Sequence, residues 1–163
     1  HREEGLGPAR GQARGQGDGV LLGDPHVEEA VGMRLGKARD ARAALANYDK
    51  ALELYPEYTD AWVRKGVTLF NENQYQEAEE CLNRAVRLRP AEFKTVYNRG
   101  KLRLKTENTE GAIADLDKAT TLKPEHAGAH ELFGDALMQA GKEVEAALQW
   151  RLAEELRKKR SSK

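Results

Sequence analysis

The sequence predicts an all-α fold: a solenoid of antiparallel helix pairs stacked in a row. Three observations carry that reading. The first is a period. Gly32, Gly66, Gly100 and Gly134 stand 34 residues apart, and the same step relates Ala44, Ala78, Ala112 and Ala146, then Ala51, Ala85, Ala119 and Ala153, and finally Pro56, Pro90 and Pro124. Four columns sharing one step mark four copies of one structural unit. The second is the apolar spacing within each unit, which follows a helix rather than a strand. The third is the placement of breakers, with a polar turn inside the unit and, in the first three units, a proline near its end.

The units are 25–58, 59–92, 93–126 and 127–160. In the second, Thr59 or Asp60 is placed to cap a helix ending near Asn71, on which Trp62, Gly66, Leu69 and Phe70 share one side. The stretch "NENQ" breaks it. A second helix from Tyr75 to Leu88 then turns Ala78, Leu82, Ala85 and Val86 inward. Pro90 prevents continuation, because it has no N–H and disfavours helix in the residue before it. A glycine on the first helix opposite an alanine on the second lets the two backbones approach closely.

The first unit repeats the pattern with Val31, Gly32, Leu35, Ala44, Tyr48, Ala51 and Pro56, and the fourth with Phe133, Gly134, Leu137, Ala146, Trp150 and Ala153. In the fourth, Lys158 replaces the proline, so the last helix is expected to run on toward the basic "RKKRSSK". The slots facing the next unit read Leu52, Val86, Thr120 and Glu154. A charge in the last of them suits a solvent-facing end, at or near the end of the array.

In this register "VYNRGKLRLK" belongs to the first helix of unit three, although its alternating cations imitate a strand. Phe93, Val96, Tyr97, Gly100 and Leu104 form the expected apolar face. Lys94, Asn98, Lys101 and Lys105 form a second stripe. Arg99 and Arg103 form a third line, expected to bury their stems and pair with acids on neighbouring helices. Residues 93–106 hold five cations and no anion.

Composition narrows the rest. The 163 residues are 33% charged and 39% hydrophobic, with 27 basic and 27 acidic side chains, enough for one folded domain with no global bias toward an anionic or cationic partner. Apolar runs are only a few residues long, so no membrane insertion is expected. The chain does not begin with Met and reads as a fragment or processed form, without a signal peptide at its start. Cys81, the single cysteine, excludes an internal disulfide and fits a reducing, intracellular setting, read as cytoplasmic. Residues 1–24 hold seven of the fifteen glycines and no aromatic, and read as a flexible tail or linker. Gly5, Gly7 and Gly11 lack the strand and helix that a dinucleotide loop requires.

No catalytic constellation stands out, and no cofactor or metal is expected. His126 and His130 could share a helix face as metal ligands do, but His130 occupies the slot of Trp62 and reads as a structural histidine. Glu79-Glu80 and Glu154-Glu155 read as solvated helix faces. Nucleophile elbows, Cys-x-x-Cys pairs and phosphate loops are absent from the sequence.

The repeated pattern resembles that of the tetratricopeptide repeat family, W-x2-L-G-x2-Y…A-x3-F…A…P, met by Trp62, Gly66, Leu69, Ala78, Leu82, Ala85 and Pro90. The resemblance implies a right-handed superhelix whose first helices line a concave groove and whose second helices form the back. It also implies a non-catalytic interaction module that binds a peptide or partner domain. The groove it places here offers Asp60, Val63, Arg64, Val67, Phe70 and Asn71, then Lys94, Tyr97, Asn98, Lys101, Leu104 and Lys105, then Gly128, Glu131, Leu132, Asp135, Met138 and Gln139.

That groove is cationic at its centre and acidic toward unit four. The expected ligand is an extended acidic peptide with apolar anchors, held by Arg64, Val67, Phe70, Lys94, Tyr97, Asn98, Lys101 and Lys105. A solvated lysine face is the competing reading. A family clamp for chaperone tails ending in Glu-Glu-Val-Asp is not expected, since its positions fall on Glu29, Met33, Arg64, Lys94 and Asn98, or one unit later on Val63, Val67, Asn98, Gly128 and Leu132. Only Lys94 fits in the first register and only Asn98 in the second. A self-assembling scaffold and a regulatory or targeting module of a larger protein remain alternatives. Nucleic acid is not an expected partner of so neutral a chain.

Overall fold

The computed structural model describes residues 40–163. Among them are seven helices and no strand: α1 (Ala41–Leu54), α2 (Thr59–Asn71), α3 (Tyr75–Leu88), α4 (Phe93–Lys105), α5 (Thr109–Leu122), α6 (Ala127–Gln139) and α7 (Glu143–Ser161). The expected tail and the first helix of unit one lie outside the described residues. Helices α2 with α3, α4 with α5, and α6 with α7 form antiparallel hairpins. The second helix of each unit packs on the first helix of the next. Successive first helices also touch, with no comparable contact between successive second helices. The row therefore curves with its first helices inside.

Boundaries follow local chemistry. α1, α3 and α5 stop at Leu54, Leu88 and Leu122, just ahead of Pro56, Pro90 and Pro124. α7, with Lys158 in that slot, continues to Ser161. The expected cap at Thr59 or Asp60 is not formed: Tyr58 holds the cap position without a side-chain bond, and Thr59 is buried in the first turn. Side-chain caps occur at Asp40, Asn108 and His126, which accept from Ala43, Gly111 and Ala129.

Each hairpin turns through one left-handed residue: Asn73 at φ 62°, Glu107 at φ 62° and Gly141 at φ 79°. The amides that follow reach back to Leu69, Arg103 and Leu137 carbonyls, each at 2.9 Å, closing the last turn of the first helix. A glutamate has a steric cost in this conformation that glycine does not. Glu107→Gly is expected to stabilise the fold by about 1 kcal/mol, measured by urea denaturation.

The recurring glycines mark the close approach within each hairpin. A Cβ on Gly66 would lie 2.8 Å from Leu82 Cγ and 3.3 Å from the Ala78 carbonyl oxygen. On Gly134 it would lie 2.5 Å from the Trp150 ring and 3.1 Å from the Ala146 oxygen. The alanine backbone is thus near, but the nearest atoms belong to the large side chain one turn beyond it.

Val63, Leu69, Leu82, Ala85 and Leu102 form one core cluster, and Ala112, Leu116, Phe133, Ala136 and Leu137 the next. On α4 the buried set differs from the expected face. Val96 and Gly100 are buried, but so are Thr95 and Leu102, while Phe93, Tyr97 and Leu104 are half-buried. An inner helix is packed by its hairpin partner α5, by α3 behind it and by α2 and α6 beside it, so more than one stripe is enclosed. Thr95 meets this burial by donating its hydroxyl to the Glu92 carbonyl at 2.8 Å.

The expected pairing of Arg99 and Arg103 is present. Arg99 holds buried Asp115 bidentately, Nε to Oδ2 at 2.9 Å and Nη2 to Oδ1 at 2.8 Å, and donates to Asn83 Oδ1 at 3.1 Å. Arg103 donates to Asp115 Oδ2 and to Glu79 Oε1, both at 3.2 Å. This network joins α3, α4 and α5 across the boundary between units two and three.

Candidate functional site

The curvature brings α2 and α4 side by side, and their facing residues form the candidate groove. Lys94, Lys101 and Lys105 are exposed on one stripe of α4. Lys94 Nζ lies 3.6 Å from Asp60 Oδ1 on α2, with both side chains well exposed. Lys101 Nζ stands 5.9 Å from the Phe70 ring centroid, and Phe70 packs on Tyr75 at 5.6 Å. Val67 and Phe70 are half-buried and rest on the core below. Arg64 is half-buried on the same helix. Lys105 closes the last turn of α4, where a cation suits the negative end of the helix. Asn98 donates its Nδ2 to the Lys94 carbonyl at 2.8 Å, which leaves its oxygen and one N–H for a ligand.

Val63, expected in the groove, is only 2% exposed and belongs to the core instead, because α2 turns it toward neighbouring helices. Tyr97 stacks on Phe93 at 5.0 Å, and His126 packs against both rings at 4.8 and 5.2 Å. Lys123 Nζ stands 4.9 Å from the Phe93 centroid. Burial, with Glu131 nearby, raises the Tyr97 phenol above its ordinary range. This aromatic group on the α6 side was not legible in the sequence. Phe93 and Tyr97 are one helical turn apart, but His126 arrives from the turn before α6.

The acidic end is already engaged: Glu131 accepts from Arg157 and Asp135 from Trp150 Nε1, the latter at 2.9 Å. His130 does take the part of Trp62. Its Nε2 meets the Pro124 oxygen at 2.8 Å, as Trp62 Nε1 meets the Pro56 oxygen at 2.8 Å, and its Nδ1 lies 2.7 Å from Gln149 Oε1. His126 spends Nδ1 on the α6 cap. Among the described residues no group of three His, Cys, Asp or Glu could hold a metal ion. Burial pushes the Cys81 thiol up to about 11, so it stays protonated near neutrality. No helix among them is long and apolar enough to cross a membrane.

Comparisons with known proteins agree with this architecture. A tetratricopeptide repeat profile matches residues 32–93 and 97–159. BBSome complex member BBS4 of Xenopus tropicalis is 31% identical over 94 residues, 58% of this chain and 18% of that protein, so the chain spans under a fifth of this relative. The solved structure of MamA from Desulfovibrio magneticus RS-1 superposes with a TM-score of 0.76 at 28% identity, covering 84% of this chain and 77% of that one. YrrB, a TPR protein with an unusual peptide-binding site, superposes with a TM-score of 0.74 at 27% identity, covering 82% of this chain and 69% of that one. Period, hairpin geometry and profile converge: the chain belongs to the tetratricopeptide repeat family, whose members are protein-binding scaffolds.

Proposed function

We propose that this chain is a non-catalytic adaptor whose α2–α4 groove binds an extended segment of a partner protein that carries acidic and apolar side chains. The observation behind this reading is the lysine stripe of α4 beside the Phe70 ring, on a helix stretch with five cations and no anion. Lys94 and Lys101 act as point charges for carboxylates. Phe70 and Val67 offer apolar seats, Tyr97 adds one on the α6 side of α4, and Arg64 and Lys105 extend the charged track. The Lys94–Asp60 pair does not block it, since exposed ion pairs contribute little and exchange readily. YrrB gives a precedent for peptide binding on this fold. A cytoplasmic setting is part of the same reading.

The test is the double charge reversal Lys94→Glu with Lys101→Glu, titrated against a synthetic peptide of alternating glutamate and leucine. Loss of about tenfold per reversed charge is expected, with binding to the unchanged protein weakening as salt rises. Equal affinity for both proteins would move the site elsewhere.

A further inference from the structure

Helices α4 and α6 touch as α2 and α4 do. Leu104 on α4 and Leu132 on α6 are both half-buried, and both rest on the core cluster that holds Leu116 and Leu137. One unit earlier, Val67 and Phe70 rest in the same way on the cluster that holds Leu82 and Leu102. Phe70 and Leu104 occupy the same position of successive units, 34 residues apart. Two apolar seats therefore lie one unit step from each other. The position of Leu132 is filled by Arg64 on α2 and by Asn98 on α4. First helices thus pack into the row without an apolar side chain there, and the core does not demand this leucine.

Between the two seats lies positive charge. Lys101 is one helical turn before Leu104 on α4, and its Nζ is 5.9 Å from the Phe70 ring centroid. No acid occurs on α4. A segment that reaches both seats must cross Lys101, and a carboxylate crosses it most favourably.

The step also selects a backbone. Packed helices run about 8–10 Å apart. A β-strand returns a side chain to the same face after two residues, about 6.6 Å, which is too short, and its third residue faces away. A polyproline-II segment returns to the same side every third residue, about 9.3 Å on.

We propose that the partner segment binds in the polyproline-II form and carries two apolar side chains three residues apart, with acids at the two positions between them. One anchor sits on Val67 and Phe70, the other on Leu104 and Leu132, and Lys101 meets the intervening acids. This rests on the groove reading above and narrows it, because Leu132 then selects the spacing of the ligand and not merely its composition.

The experiment uses the full chain and two end-blocked peptides of equal composition, Pro-Leu-Glu-Glu-Leu-Pro and Pro-Leu-Glu-Leu-Glu-Pro, followed by fluorescence anisotropy. The first should bind about tenfold tighter, because only its two leucines reach both seats. Leu132→Asn, which copies the residue α4 carries at that position, should erase the preference while leaving affinity for the second peptide unchanged. That unchanged affinity also reports that the variant is folded. Lys94→Glu with Lys101→Glu should abolish binding of both. Equal binding of the two peptides, or a preference that survives Leu132→Asn, would overturn the proposed spacing, and the groove reading would still stand if the charge reversal abolished binding. Failure of the unchanged protein to bind either peptide would overturn both.

Discussion

Replacing Asp115 with alanine is expected to lower the unfolding free energy by about 3–5 kcal/mol. Asp115 is 4% exposed and is the shared acceptor of Arg99 and Arg103, whose own side chains are mostly enclosed. Its removal leaves two guanidinium groups between α3, α4 and α5 with only Asn83 and Glu79 as remaining partners. Truncating one partner of a buried ion network has a large effect because the other charges stay desolvated. Asp115→Asn keeps an acceptor oxygen and should have a smaller effect. Urea denaturation of both variants measures the difference. A change under about 1 kcal/mol for Asp115→Ala would mean that the arginines find water instead.

Gly66→Val is expected to destabilise by about 2–3 kcal/mol. A Cβ there already meets Leu82 Cγ at 2.8 Å, and valine adds two methyl groups in a hairpin with no room. The Ala78 carbonyl on the other side belongs to a helix backbone and cannot rotate away. Alanine is a weaker test, because its better helix propensity offsets the clash by about 1 kcal/mol. Adding Leu82→Ala to Gly66→Val should recover part of the loss, and a double-mutant cycle by thermal melting reads that coupling. Additive losses would show that Leu82 is not what excludes the side chain.

The hairpins were legible because close approach leaves small residues at fixed intervals, as at Gly66 with Ala78, and because Pro90 and "NENQ" bracket α3 from both sides. Arg99 and Arg103 were legible as paired because they interrupt an apolar pattern without surface alternatives. Thr95 and Leu102 were not, since their burial comes from helices of two other units and α4 has no single dry stripe. Val63 went the other way for the same reason. In the groove, residue types were readable but their engagements were not. Asn98 binding back to Lys94, Lys101 standing over Phe70, and His126 joining Phe93 and Tyr97 all depend on how successive units are rotated. The Cys81 thiol follows the same logic, because only the stacking shows that it is enclosed.

The most direct measurement is a backbone chemical-shift titration of the protein with the alternating glutamate–leucine peptide. The groove assignment predicts saturable shifts on α2 and α4, centred on Phe70, Lys94, Asn98 and Lys101, with the outer faces of α3 and α5 silent. Shifts confined to those outer faces would contradict it.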